Sequence, residues 1–313
     1  MSTSSPLSPI TRSSSIERPG RIKSLSKMGN VAKTEKPMPM IKEKGLSIVE
    51  FMIAITLGLL LLAGITQIFI SNKTTFNMTD SLSRMEENGR YAMEVLARHV
   101  RMAGYADPSK TDVPPAFYGQ CATGDFECSS KGWGCTPTDS NCTFNGASGA
   151  ASDRLAVYYD PDNDLDCTGA AHTGLLINVF SIKNDTTNDN LPTLYCRGYD
   201  PATDTWIAGE QPVAPGVENL QVLYGSRTGT FTDAVHDRYV NASQVPVLSD
   251  WANVKTVRIG ILMRSGGTGG ASQKIRRYSV LDVGGSDLVF NDRQPRMLYT
   301  TTVSINNVIL PDD

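Results

Sequence analysis

Glu50 is the only ionisable side chain in the apolar run formed by residues 46–70. A carboxylate at membrane depth costs roughly 2.5–3.5 kcal/mol at the bilayer centre and less toward the interface, so its position asks for a counter-charge that the run does not contain. Sulfur offers a second chemistry. Cys121, Cys128, Cys135 and Cys142 recur every seven residues, and Cys167 and Cys196 follow. The seven-residue spacing lacks the close C-x-x-C pairs of zinc sites, so disulfides are the expected use; the four clustered cysteines allow three pairings among which the sequence does not choose. Asp160, Asp162, Asp164 and Asp166 present hard oxygen ligands at every second position, as a loop wrapping Ca²⁺ does. Leu165 stands where an EF-hand would need Gly, and a solvated acidic turn is the alternative. His99, His172 and His236 lie in no Ser or Cys nucleophile context. The glycine-rich stretch 265–270 lacks the Lys-Ser/Thr of a phosphate loop and is expected to be a mobile hairpin loop between strands 254–263 and 274–283. No catalytic residue is expected, and no cofactor unless the aspartates hold calcium.

The elements that carry these residues follow from hydropathy and spacing. Residues 46–70 are long enough to cross a bilayer as a helix. Before them, residues 1–45 hold nine Lys or Arg against three acids, a net of +6; the rest of the chain holds 20 against 29, a net of −9. Basic flanks stay in the cytoplasm, so the acidic remainder is expected to be translocated, into a periplasm oxidising enough for disulfides. Residues 1–39 are rich in Ser, Pro and Lys and are expected to be disordered, with Met40 as an alternative start.

Past the span, Leu82, Met85, Gly89, Ala92, Leu96, Val100 and Ala103 recur at the spacing of one helix face, which extends the helix to about Met102 with Gly104 as its stop. The opposite face carries Arg84, Glu86, Glu87, Arg90, Glu94, Arg98 and Arg101, as a solvated face does. Residues 71–104 thus form an amphipathic continuation of the helix. Residues 105–313 read as a β-rich head with a Cys-rich insertion at about 110–145, strands being expected at 154–159, 174–182, 191–197, 217–224, 254–263, 274–283 and 297–305. A helix followed by strands makes an α+β fold. Arg276-Arg277 is too small a basic cluster for nucleic acid on an acidic chain.

Gly45, an apolar Leu46 and Glu50 at the fifth position after the Gly resemble the class III signal of type IV pilins and type II secretion pseudopilins. The resemblance implies that a prepilin peptidase cuts after Gly45 and methylates Leu46, and that Glu50 meets the amine of a neighbour's first residue as helices assemble. Leu46 replaces the Phe usual in major pilins, and Gln67 lies near the place of their kinking proline; both departures suit a minor pilin.

The stretch Glu86-Glu87-Asn88-Gly89-Arg90-Tyr91-Ala92, with Arg101-Met102-Ala103-Gly104-Tyr105, resembles the PilW family of minor pilins. So do Asp166-Cys167-Thr168-Gly169, Leu194-Tyr195-Cys196, residues 217–225 and residues 251–259, in family order. The insertion at 110–145 matches nothing in the family, and residues 303–313 lack its basic finish.

This second resemblance implies a long N-terminal helix packed on an antiparallel head, a pairing of Cys167 with Cys196, and a role in starting pilus assembly within a minor-pilin complex near the tip. The implied partners are other minor pilins, the major pilin, the prepilin peptidase, the inner-membrane assembly platform and a tip adhesin. The protein would be a single-pass inner-membrane protein with its head in the periplasm, later part of the extracellular pilus. A type II secretion pseudopilin, and a membrane-anchored periplasmic binding or catalytic domain, are the competing readings.

Overall fold

The computed structural model describes residues 45, 47–106, 115–121, 134–136, 139–146, 151–161, 164–226, 238–248, 251–267 and 272–307. Leu46, Cys128, Asp162, His236, residues 1–39 and most of the 110–145 insertion lie outside the described residues. The chain divides into two units, Met1–Leu57 and Gly58–Asp313.

Helix α1 runs Ile48–Met102. In its first unit every described side chain is exposed, from Ile48 to Leu57. In the second unit the helix becomes one-sided: Met85, Gly89, Ala92, Leu96, Ala97 and Val100 are buried, and all seven charged residues of the opposite face are exposed. Two i,i+4 ion pairs, Asp80 with Arg84 and Glu94 with Arg98, lie on that face at 3.1 Å each. Solvent screening leaves such pairs about 0.3–0.5 kcal/mol each, so the buried face is what holds the helix.

The helix stops where the chain takes φ = 74° at Gly104, a conformation that glycine adopts without a Cβ penalty. Asn307, far along the chain, donates from Nδ2 to the carbonyls of Arg101 and Ala103 at 3.0 and 3.4 Å, satisfying acceptors that the last turn leaves open.

Two antiparallel sheets follow. The first contains β1 (Leu155–Tyr159), β2 (Leu176–Asp185), β3 (Leu191–Asp200) and β4 (Thr205–Trp206) in that order, with β5 (Gln211–Pro215) also paired to β3. The second is ordered β11 (Arg296–Ser304), β8 (Val254–Arg264), β6 (Val217–Ser226) and β7 (Arg238–Val240). The short helix α2 (Val245–Leu248) joins β7 toward β8. Leu96 and Val100 of α1 share one core with Val157 and Phe180 of the first sheet and Leu220, Ile259 and Ile261 of the second. Gly89 lets the helix approach β11: a Cβ there would stand 2.5 Å from the Tyr299 ring. The architecture is α+β, a long N-terminal helix with antiparallel sheets.

One strand expectation is corrected. The 274–283 run is not one strand following β8 in a hairpin. It divides into β9 (Lys274–Val280) and the start of β10 (Val283–Asp292), which pair with each other as a separate two-stranded sheet. Both edges of β8 are already taken by β6 and β11, so no ladder remains for β9. The turn between β9 and β10 is made at Leu281, with φ = 52°. Arg296 ties this hairpin to the second sheet, its guanidinium bonding Glu218 of β6 and Asp292 of β10 and lying over the Phe290 ring at 3.7 Å. A buried charge persists here because both partners and the ring are present together.

The described parts of the insertion finish the outer edge of β1. Tyr118 N–H donates to Ala156 O at 3.1 Å and Tyr158 N–H to Ala116 O at 3.0 Å, while Phe144 and Arg154 exchange both main-chain bonds. An edge that would otherwise present unpaired main-chain groups is thereby closed. Trp251 anchors the arrangement from the far sheet: its Nε1 donates to Gln120 O at 2.9 Å, and its ring lies against Gly119, where a Cβ would fall 2.3 Å away.

Candidate functional site

The first turn of α1 is built around Ser47 and Glu50. Ser47 Oγ accepts from Val49 N–H at 3.4 Å and Ser47 O accepts from Phe51 N–H at 3.0 Å, so Ser47 is the N-cap and Glu50 occupies the third helical position. Ser47-Ile48-Val49-Glu50 carries the S-x-x-E signature of a capping box, a signal that the sequence holds. Only the Ser side of the box is made. Among the described residues nothing pairs with the Glu50 carboxylate.

The helix dipole favours an acid in the first turn by about 0.3–1 kcal/mol. That is less than the roughly 2.5–3.5 kcal/mol which burial at the centre of a bilayer would cost, so the local cap cannot by itself make the charge comfortable in lipid. The other polar groups of the run behave differently. Thr56 Oγ1 donates to Ile53 O at 2.9 Å and Thr66 Oγ1 to Leu62 O at 2.7 Å, so both hydroxyls are satisfied by their own helix. The apolar side chains have no such cover. Leu60, Leu61 and Phe69 are 70%, 68% and 67% exposed, and the apolar window of α1 has no share buried in the protein. A core helix of a soluble domain would be mostly buried; this segment is uncovered, and it is long and apolar enough to cross a membrane.

The cysteines fall into two groups. Cys135 pairs with Cys142, which selects one of the links open to the clustered four, and Cys121 is disulfide-bonded. Cys167 pairs with Cys196, joining the loop after β1 to β3 across 29 residues. Closing a loop of that length stabilises by roughly 3.6 kcal/mol on the chain-entropy estimate.

The aspartate turn is also resolved into separate parts. Asp164 is exposed at φ = 52°. Asp166 is buried, and its Oδ1 accepts from Thr168 N–H, Thr168 Oγ1 and Ala170 N–H at 2.8, 2.6 and 2.9 Å. This carboxylate organises its own turn. Its Oδ2 lies against β3, where a Cβ at Gly198 would stand 2.2 Å from it. Asp160 donates its N–H to Tyr105 O at 2.8 Å. Among the described residues no three His, Cys, Asp or Glu are grouped as a metal site would need.

The described histidines are turned to main-chain carbonyls. His99 Nδ1 lies 2.9 Å from Val95 O and His172 Nε2 lies 3.2 Å from Leu175 O. Burial against Phe180 and Tyr159 holds the His99 pKa below its ordinary value.

Residues 179–307 match the family model of the type IV pilus-assembly protein W, PilW. The PilW match begins within β2 and ends just past β11, so it includes both sheets' central strands and the sequence motifs at 194–196, 217–225 and 251–259. The motifs at 86–92, 101–105 and 166–169, like Glu50, lie outside it. Among solved structures, the type IV-like pilin TTHA1219 from Thermus thermophilus is similar at 15% identity, with 72% of this chain and 97% of that chain covered and a TM-score of 0.36. No curated protein matches the chain.

Proposed function

We propose that this protein is a minor pilin that primes assembly of a type IV pilus, enters the filament near its tip as one of a minor-pilin complex, and does no catalysis of its own. The observation that carries the reading is the uncovered apolar part of α1, whose one carboxylate, Glu50, has no partner among the described residues. The PilW match in the head supports it.

In the proposed sequence of events, the basic flank keeps residues 1–45 in the cytoplasm and the acidic head is translocated to the periplasm. A prepilin peptidase cuts after Gly45 and methylates Leu46. Glu50 then attracts the amine of a neighbouring pilin's first residue, so that a buried charge gains its partner on assembly. Leu60, Leu61, Phe69 and the other exposed apolar side chains exchange lipid for the helices of other subunits. The head, held on residues 82–102 of the same helix, docks beside other minor pilins.

Glu50→Gln separates the charge from the cap, because Gln serves the third position of a capping box as Glu does. The expected outcome is a stable, membrane-inserted and cleaved protein that fails to enter filaments. Mass spectrometry of sheared pili from the wild type should find an N-methylated peptide beginning at Leu46. Filaments that contain the Glu50→Gln chain at wild-type amounts would overturn the proposal.

A further inference from the structure

The insertion and the first sheet enclose a cavity of about 370 Å³ on the face of that sheet away from α1. Its floor is the paired stretch of β2 and β3, where Val179 stands opposite Arg197 and Ser181 opposite Tyr195. One wall is formed by Ser140 and Phe144, and the other by Trp206 and Glu210.

Three cations line it: Arg154, Lys183 and Arg197. Lys183 is paired with Glu210. Among the described residues neither arginine forms an ion pair with a carboxylate, although the Asp139 charge lies near Arg154. Arg154 donates from Nε to Cys142 O at 2.6 Å and to the main-chain carbonyl of Asp139, and lies 5.5 Å from the Phe144 ring centroid. Arg197 donates from Nε to Ala208 O at 2.8 Å and lies over the Trp206 ring at 4.3 Å. The Asp139 carboxylate accepts instead from Thr136 N–H at 2.8 Å, and the Asp153 carboxylate is turned into the wall, accepting from the N–H groups of Gly146 and Val222 at 2.7 Å each. Two guanidinium planes are thus fixed by carbonyls and rings, with no ion pair among the described residues, which is the arrangement that suits a planar carboxylate.

The surroundings narrow the ligand class. The floor strands have both edges occupied, β3 by β2 on one side and by β4 and β5 on the other, so an extended peptide finds no main chain to pair with. Phe144 and Trp206 each have one ring face taken by a guanidinium, which leaves less of the platform that nucleic-acid bases stack on. The described lining also offers hydroxyls, from Ser140, Ser181 and Tyr195, beside the two positive charges.

We infer that this groove binds a carboxylate-bearing saccharide, with Arg197 and Arg154 meeting the carboxylate and the hydroxyls meeting the sugar ring. The Cys-rich insertion supplies the wall that makes the groove concave. The inference is independent of the role in assembly.

The test is calorimetric titration of the full-length protein, in detergent micelles, with tri-galacturonate as the probe and maltotriose as the uncharged control. Tri-galacturonate should bind, more weakly as salt rises, and Arg197→Gln should lower its affinity about tenfold, the loss of one charge-assisted contact. Maltotriose should not bind. Lys183→Gln frees Glu210 beside the arginines and should also weaken binding, a second reading should the Arg197 variant fail to fold. Absence of tri-galacturonate binding, equal binding of maltotriose, or unchanged affinity in folded Arg197→Gln would each overturn the inference. Tighter binding of a single-stranded DNA 12-mer, lost in the same variant, would overturn the ligand class.

Discussion

Residues 48–70 and residues 82–102 belong to one helix and have the same backbone, yet their side chains have different surroundings. The first stretch is apolar around its whole circumference and exposed, with its threonines bonded to their own carbonyls. The second has a narrow buried face of Met85, Ala92, Leu96 and Val100 and a charged opposite face. Helix propensity cannot distinguish them. What differs is where the apolar surface goes: into the sheets in one case and, in an assembled or membrane-bound state, against lipid or other subunits in the other. Side chains in the first stretch should therefore matter to insertion and assembly and hardly at all to the stability of the head, with the reverse holding in the second.

The largest expected effect is at Leu96, which is fully buried between the two sheets. Leu96→Ala should destabilise the head by about 3 kcal/mol, measured as a lower denaturant midpoint at unchanged slope; a change under about 0.5 kcal/mol would mean that the helix does not share the head's core.

Asp153 tests the packed region by pH. Burial pushes its pKa up to about 7, against an ordinary 3.8, in spite of its two main-chain donors. The folded state then binds a proton that the unfolded state has released between these values, so head stability should fall as pH rises from about 4 to 7 and level off above. Asp153→Asn should flatten that slope; a slope unchanged in the variant would assign it to other groups.

A smaller loss, about 1–3 kcal/mol, is expected for Gly89→Ala, where the added methyl meets the Tyr299 ring. Thermal unfolding followed by near-ultraviolet circular dichroism would register both the loss and a changed tyrosine environment. At the bottom of the scale, Leu60→Ala should leave head unfolding within about 0.5 kcal/mol of wild type. If it costs as much as Leu96→Ala, the contrast between the two stretches is wrong.

Much of the fold could be read without coordinates because the signals are local. The spacing from Leu82 to Ala103 and the β-branched runs at 154–159, 191–197, 217–224 and 254–263 each sit within a few residues of an observed element. The failures have a common cause. The 274–283 run divided at Leu281 because β8 had no free edge, a fact about β6 and β11, strands outside the run on either side of it. The short strands β4, β5 and β7 are held by their neighbours, and their sequences carry little of the alternation that marks an independent strand. The N-cap role of Ser47 is legible in its place one residue before the helix.

Sequence alone determined that this chain has an apolar span with a single acid, a one-sided helix after it, and a β-rich head, because periodicity and hydropathy depend only on the order of residues. Tertiary structure decided that Cys135 meets Cys142, that the described parts of the insertion close the edge of β1, and that Arg154 and Arg197 face one cavity. Those outcomes depend on which distant segments pack together, and loop closure over tens of residues leaves too little local signature for the order of residues to reveal them.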